Sequence, residues 1–223
     1  MIYVMSDLHG CYEEYLKMLD HINFNNNDTL YILGDVCDRG DNPIKILKHM
    51  MNHENIIPIF GNHDVDALLN LVKVYNKQDV DLDRDFRFWY IGGGKSTYDD
   101  FVTLNKIEQK EILLYMQDFL YYKELKVNDI TYILVHAGLE NFKENKPIDS
   151  YKLDELIYDR TDYDKTYFKD KILITGHTPT IHIDRNMKGK IIHKNNHIAI
   201  DCGCVFGYGL GCICLDTMQE FYI

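Results

Sequence analysis

No apolar stretch in this 223-residue chain approaches the length of a membrane span, so the sequence offers no transmembrane helix and no membrane partner is expected. No secretory signal is read: Met1 leads directly into the first apolar run, and the expected location is cytoplasmic. Positive charge is scarce. Against 35 Asp and Glu stand 24 Lys and Arg, and the net charge of −11 argues against a non-specific grip on a nucleic-acid backbone. Such a surface does not steer acidic substrates from afar, so recognition of a phosphate has to be local, from metals and a few arginines. There is no internal repeat, low-complexity tract or linker, and residues 1–223 read as one domain long enough to bury a core. The six cysteines (Cys11, Cys37, Cys202, Cys204, Cys212 and Cys214) read as free thiols in a reducing compartment.

What is present is a set of apolar runs rich in Ile, Val and Tyr, each stopping at a cluster of site-building residues. Runs at 2–5, 29–33, 56–60, 130–135, 172–175 and 197–200 lead into Asp7-Leu8-His9, Gly34-Asp35, Gly61-Asn62-His63-Asp64, His136, Gly176-His177 and Asp201. Runs of this kind read as buried strands. Ligands at strand ends converge on one sheet edge, where loops gather them around a common point. Aspartate, histidine and asparagine form an oxygen and nitrogen set suited to hard or borderline divalent ions, which makes a two-metal hydrolase the leading reading.

Between the runs the pattern is repeated β-α-β. Helices are predicted over 12–20, after Pro43, from Asp64 onward, over 96–102 and 106–119, and near 153–157. Tight turns at Asn128-Asp129 and around 194–196 predict hairpins, and 212–215 and 220–223 add late strands. Residues 75–95 read as a surface excursion. Gly92-Gly93-Gly94-Lys95-Ser96-Thr97 imitates the end of a nucleotide phosphate loop, but the first glycine of that pattern would fall at Trp89. A turn into a helix capped by Ser96 or Thr97 is the better reading.

Gly34-Asp35-Val36-Cys37-Asp38-Arg39-Gly40 is the most specific segment, with Gly61-Asn62-His63-Asp64 next. Together with Asp7-X-His9, Val135-His136-Ala137-Gly138 and Gly176-His177-Thr178-Pro179, these motifs resemble the phosphoprotein phosphatase family of metallophosphoesterases. The resemblance is to the bacterial serine/threonine phosphatase branch and runs from residue 5 to about residue 215. It implies an α/β fold of two packed mixed β-sheets flanked by helices, a four-layer αββα arrangement. Asp7, His9 and Asp35 would hold one divalent ion, and Asp35, Asn62, His136 and His177 the other, with Asp35 bridging. His63 would be the general acid and Asp38 its orienting partner. Arg39 and Asn62 would bind substrate, and Arg160, in a Tyr158-Asp159-Arg160 match to a tryptophan-X-arginine element, would be a second phosphate clamp. Manganese is the expected metal, with iron and zinc also tolerated by the ligand set. The implied substrates are phosphorylated proteins or small phosphoesters, hydrolysed by in-line attack of a hydroxide shared by the metals.

Two departures bear on substrate. Asp64 stands where the family usually has glutamate, as it does in the related symmetrical dinucleoside tetraphosphate hydrolases, so dinucleoside polyphosphates are the alternative substrate. Those hydrolases commonly carry alanine where this chain has Asp38, and Pro179 replaces the second histidine of many phosphodiesterases; both point to monoesters. Cys202-X-Cys204 and Cys212-X-Cys214 suggest a zinc hairpin, but spacings of two to four residues are usual for zinc, and packing is preferred. Asp201 is expected to bond structurally, and His21, His49, His53, His182, His193 and His197 to be surface or packing residues.

Overall fold

The computed structural model describes residues 1–80 and 82–223. The first half alternates strand and helix: β1 (Ile2–Met5), α1 (Tyr12–His21), β2 (Thr29–Ile32), α2 (Pro43–Met51), β3 (Ile56–Pro58) and α3 (Asn62–Tyr75). Then come α4 (Arg84–Trp89), α5 (Lys95–Val102) and α6 (Lys106–Gln117). The second half holds β4 (Lys123–Val127), β5 (Ile130–Leu134), α7 (Leu153–Ile157), β6 (Lys171–Thr175) and α8 (Thr180–Ile183). It closes with β7 (Ile192–Lys194), β8 (His197–Ala199), β9 (Gly211–Cys214) and β10 (Glu220–Tyr222).

The strands form two five-stranded mixed sheets, in the orders β10-β9-β1-β2-β3 and β4-β5-β6-β8-β7. Each has three parallel strands: β1, β2 and β3 at one side of the first sheet, and β5, β6 and β8 in the centre of the second. Antiparallel strands border them. Side chains alternate across every strand. Val4, Tyr31, Leu33, Tyr132, Leu134, Ile174, Ile198 and Ile213 share one core between the sheets. Their neighbours Tyr3, Met5, Leu30, Ile32, Ile133, Leu173 and Cys212 belong to the core that includes the helices. Both faces are therefore covered, which is why these strands read as unbroken apolar runs rather than as alternating ones. Each fully buried Leu or Ile contributes roughly 1.5–3 kcal/mol.

The helices follow their expected faces. α1 buries Tyr15 and Met18, and α2 starts on Pro43 and buries Ile44, Ile46, Leu47 and Met50. α6 is capped by Asn105, whose side chain accepts from Ile107 and Glu108 while Glu108 reaches back to the Asn105 N–H. Among the described residues no helix is long and apolar enough to cross a membrane.

Three expectations change. α3 begins at Asn62 rather than Asp64, so Asn62 and His63 lie on its first turn. The 75–95 stretch (Asp81 lies outside the described residues) is not wholly a surface excursion, because α4 buries Phe86 and Trp89. α5 begins at Lys95 without a side-chain cap, and Thr97 is instead completely buried.

Candidate active site

The parallel triplets β1–β3 and β5–β6–β8 point their C-terminal ends toward one end of the double sheet. The loops there are stitched to one another. Asp7 N–H donates to Gly34 O at 3.1 Å, His9 N–H to Asp35 O at 2.8 Å, Gly176 N–H to His136 O at 2.8 Å and Thr180 N–H to Asp201 O at 2.9 Å. Asp7, His9, Asp35, Asp38, Arg39 and His177 all sit in the left-handed backbone region, with φ between 41° and 73°. Such residues cost of order 1–3 kcal/mol each and persist only where surrounding contacts over-determine them. Close backbone approach adds a second constraint. A Cβ at Gly61 would lie 2.2 Å from Asp35 Oδ1, and one at Gly176 would lie 2.2 Å from Asp7 Oδ2.

The loops surround a cavity of about 290 Å³ lined by Asp7, His9, Asp35, Asn62, His63 and His177, with Arg39 and Arg160 at its walls. His9 Nδ1 bonds Cys37 O at 2.8 Å and His136 Nδ1 bonds Leu33 O at 2.7 Å. Carbonyl partners require N–H at both Nδ1 atoms, so both Nε2 atoms carry lone pairs toward the cavity. Asp35 lies between them: Oδ2 is 3.4 Å from His9 Nε2, and Oδ1 is 3.4 Å from His136 Nε2. His136 Nε2 also faces Asn62 Oδ1 at 3.1 Å and His177 Nδ1 at 3.2 Å. Crowded lone pairs of this kind repel one another unless a cation lies among them, so the donor set fits divalent metal ions.

The charge states of Asp35 and His177 agree with that fit, whereas burial opposes ionisation of Asp7. Burial works against ionisation of Asp35, yet the imidazoles of His136 and His9 outweigh it and hold its carboxyl well below the usual range. Burial and the neighbouring His136 push His177 down to about 3, so it is neutral and able to ligate. Burial raises Asp7, with His136 opposing and Asp35 adding to the rise. The Asp7 carboxylate accepts the Ser6 hydroxyl and, at 3.0 Å, the His177 N–H.

His63 and Asp38 form the second part of the site. His63 Nδ1 bonds Asp38 Oδ2 at 2.8 Å, leaving Nε2 facing the cavity, where Arg39 Nη2 donates to it at 2.7 Å. The other Arg39 nitrogen contacts His9 Nε2. Burial lowers the His63 pKa, but the Asp38 hydrogen bond and the charge of Asp35 outweigh burial and raise it. Arg160 is exposed and also lines the cavity, with a 3.4 Å contact from Nη1 to Thr178 Oγ1.

The calcineurin-like phosphoesterase family model matches residues 1–203, nearly the whole of this chain. The chain belongs to that family. It is 40% identical over 81 residues to a symmetrical bis(5′-nucleosyl)-tetraphosphatase of Wigglesworthia glossinidia brevipalpis, an alignment covering 35% of this chain and 30% of that protein. It is 29% identical over 162 residues to serine/threonine-protein phosphatase 2 of Salmonella typhimurium, covering 71% and 67%. It is 27% identical over 235 residues to the asymmetrical bis(5′-nucleosyl)-tetraphosphatase PrpE of Oceanobacillus iheyensis, covering 92% and 84%. A crystal structure described as that of a proposed diadenosine tetraphosphatase shares the fold at TM-score 0.70 and 15% identity, covering 100% of this chain and 92% of that one.

Sequence reading missed the residues that stand behind this phosphoesterase site. Asp38, with 0% of its surface exposed, accepts from Trp89 Nε1 at 3.0 Å and from the Thr97 hydroxyl at 2.7 Å, while its own N–H donates to Thr97 Oγ1 at 2.8 Å. Arg39 N–H donates to Gly93 O at 2.9 Å. The glycine-rich segment thus cradles the 38–39 backbone, not a nucleotide, and Thr97 buttresses Asp38 rather than capping α5. Asp64, also fully buried, accepts the N–H groups of Val36, Cys37 and Gly61, each at 3.0 Å, and so ties the 34–40 loop to the start of α3. Burial and the nearby Asp35 raise its pKa to about 6. Asp201 accepts from Gly203 N–H at 2.9 Å, a structural bond as expected. His182 is a surface residue as expected, and it lies at the cavity lining.

Proposed function

We propose that this phosphoesterase is a di-metal-dependent phosphomonoester hydrolase acting on phosphoserine or phosphothreonine in proteins. Asp7, His9 and Asp35 would hold one ion and Asp35, Asn62, His136 and His177 the other, with Asp35 shared and manganese the expected metal. When bound, such a pair supplies Lewis acidity at the phosphoryl group and acidifies water for in-line attack. His63 is the general acid: its Nε2 faces the cavity, and the Asp38 hydrogen bond and the charge of Asp35 favour its protonated form, which can supply a proton to the departing alkoxide. Asp38 accepts from Nδ1–H, orients the ring and stabilises the imidazolium whose Nε2–H is the proton to be delivered. The Arg39 guanidinium offers a two-pronged donor to phosphoryl oxygens, Arg160 a second clamp from the same cavity, and Asn62 a further substrate contact.

The buttressed His63–Asp38 pair carries this reading, because an alkyl leaving group needs a proton and an aryl leaving group such as p-nitrophenolate does not. With manganese present, a phosphothreonine peptide, p-nitrophenyl phosphate and diadenosine tetraphosphate are compared in parallel. His63→Asn is expected to reduce peptide turnover by about 10²–10⁴-fold while largely sparing p-nitrophenyl phosphate. Equal losses on both substrates would remove His63 from the acid role. The second reading, hydrolysis of dinucleoside polyphosphates, draws on the relatives named as tetraphosphatases and on Asp64. A marked preference for the tetraphosphate in the same panel would install it.

A further inference from the structure

Outside the cavity's histidine and aspartate set, Cys11, Glu14 and Cys204 bring their ligand atoms within 4.8 Å of one another. Cys11 and Glu14 sit at the start of α1, three residues apart and so on one face. Cys204 arrives from the far end of the chain, in a short 3₁₀ turn (Cys204–Phe206) flanked by the left-handed Gly203 and Gly207. Cys11 Sγ lies 3.9 Å from His9 O, and all six cysteines are free. The zinc hairpin imagined from Cys202-X-Cys204 and Cys212-X-Cys214 does not form: Cys202 lies in the core between the sheets, whereas Cys204, Cys212 and Cys214 lie in the other core. The partner of Cys204 is Cys11. Cys11 and Glu14 are half-buried, which leaves an entry path from solvent.

We propose that Cys11 Sγ, Cys204 Sγ and the Glu14 carboxylate bind a borderline or soft divalent ion of the zinc class, at a site that adjoins the histidine and aspartate centre but shares no ligand with it. Two thiolates and one carboxylate select such an ion over magnesium or calcium. Tetrahedral zinc, with Zn–S of about 2.3 Å and Zn–O of about 2.0–2.2 Å, places its ligand atoms about 3.5–3.8 Å apart, so small rotations about the side-chain bonds close the trio. Binding releases the thiol protons, and a water completes the coordination. The ion ties the start of α1 to the turn of Cys204, Val205 and Phe206, all of which line the active-site cavity. The site thereby fixes one cavity wall.

Sulfur makes the test specific, since the other centre has only oxygen and nitrogen donors. The reduced, metal-free full chain is titrated with cobalt(II) and followed by near-ultraviolet absorption. The wild type is expected to show a thiolate-to-cobalt charge-transfer band, lost in Cys11→Ser and in Cys204→Ser and retained in Asp35→Asn. Each cysteine variant is expected to bind one zinc fewer than wild type. Absence of the band, or its persistence in both cysteine variants, would overturn the proposal. Should Cys204→Ser fail to fold, Glu14→Gln decides at a half-exposed position: cobalt affinity at the band should weaken by about tenfold or more, and unchanged affinity would overturn it.

Discussion

Arg39 and Arg160 line one cavity and are held in different ways. Arg39 has a left-handed backbone, its N–H is taken by Gly93 O, and its guanidinium lies against His9 and His63. Both arginines are exposed, but among the described residues the side chain of Arg160 has only a 3.4 Å hydrogen bond to Thr178. The same contrast extends to their surroundings. Behind Arg39 stand Asp38, Trp89 and Thr97, all buried. Beside Arg160, Tyr158 is 47% exposed. One wall is built in advance at the cost of backbone strain, as catalysis by pre-organised charge requires. The other wall loses side-chain entropy only when a substrate orders it, which suits recognition more than chemistry.

Substitutions on each wall can break this comparison. The largest effect is expected at Asp35. Asp35→Asn should weaken both metal sites and lower turnover by more than the about 10²–10³-fold that a single electrostatic donor contributes. Metal analysis after dialysis checks it, and two ions retained at full occupancy would deny a shared carboxylate. Arg39→Ala should cost about 10²–10³-fold in kcat/KM, with kcat itself falling. Arg160→Ala should cost about tenfold, mostly in KM, because the fixed wall stays intact. Steady-state kinetics on both variants would erase the distinction if the two losses matched.

Thr97→Val sharpens the point. It leaves the Asp38 N–H without its acceptor, a loss of about 1–3 kcal/mol in stability. It should also slow alkyl phosphates several-fold more than p-nitrophenyl phosphate, and uniform slowing would make Thr97 a purely structural residue. The smallest effect is a control remote from catalysis. Burial pushes His197 down to about 3, against about 6.5 in an unfolded chain. Between those values the unfolded chain binds a proton that the native protein does not, so the contribution is complete above about pH 6.5 and is lost as pH falls toward about 3. His197→Gln should flatten that slope, at most about 1.4 kcal/mol per pH unit, in urea midpoints measured against pH.

The ligand loops were legible because each follows a strand covered on both faces. Such a strand writes itself as a continuous apolar run, and the residues after it stand out. Trp89 and Thr97 were not legible. They meet Asp38 across 51 and 59 residues, and neither a buried indole nor a hydroxyl at a helix start announces a distant carboxylate. The glycines at 92–94 were visible, but Gly93 is needed for a φ of 132° beside Arg39 and Gly94 for the close approach of the Trp89 ring, not for a phosphate. Asp64 read as a departure that bears on substrate, and its three N–H partners give it a structural task of its own.

By itself the chain determined its strands, the loops after them and the chemical character of the ligands, because burial periodicity and donor chemistry are local properties. Only the tertiary structure decided which side chains stand behind those ligands. It also decided which arginine is fixed and which is free, and that Cys204 meets Cys11. These depend on contacts across long stretches of chain, where packing and hydrogen-bond satisfaction choose among partners that no local pattern distinguishes.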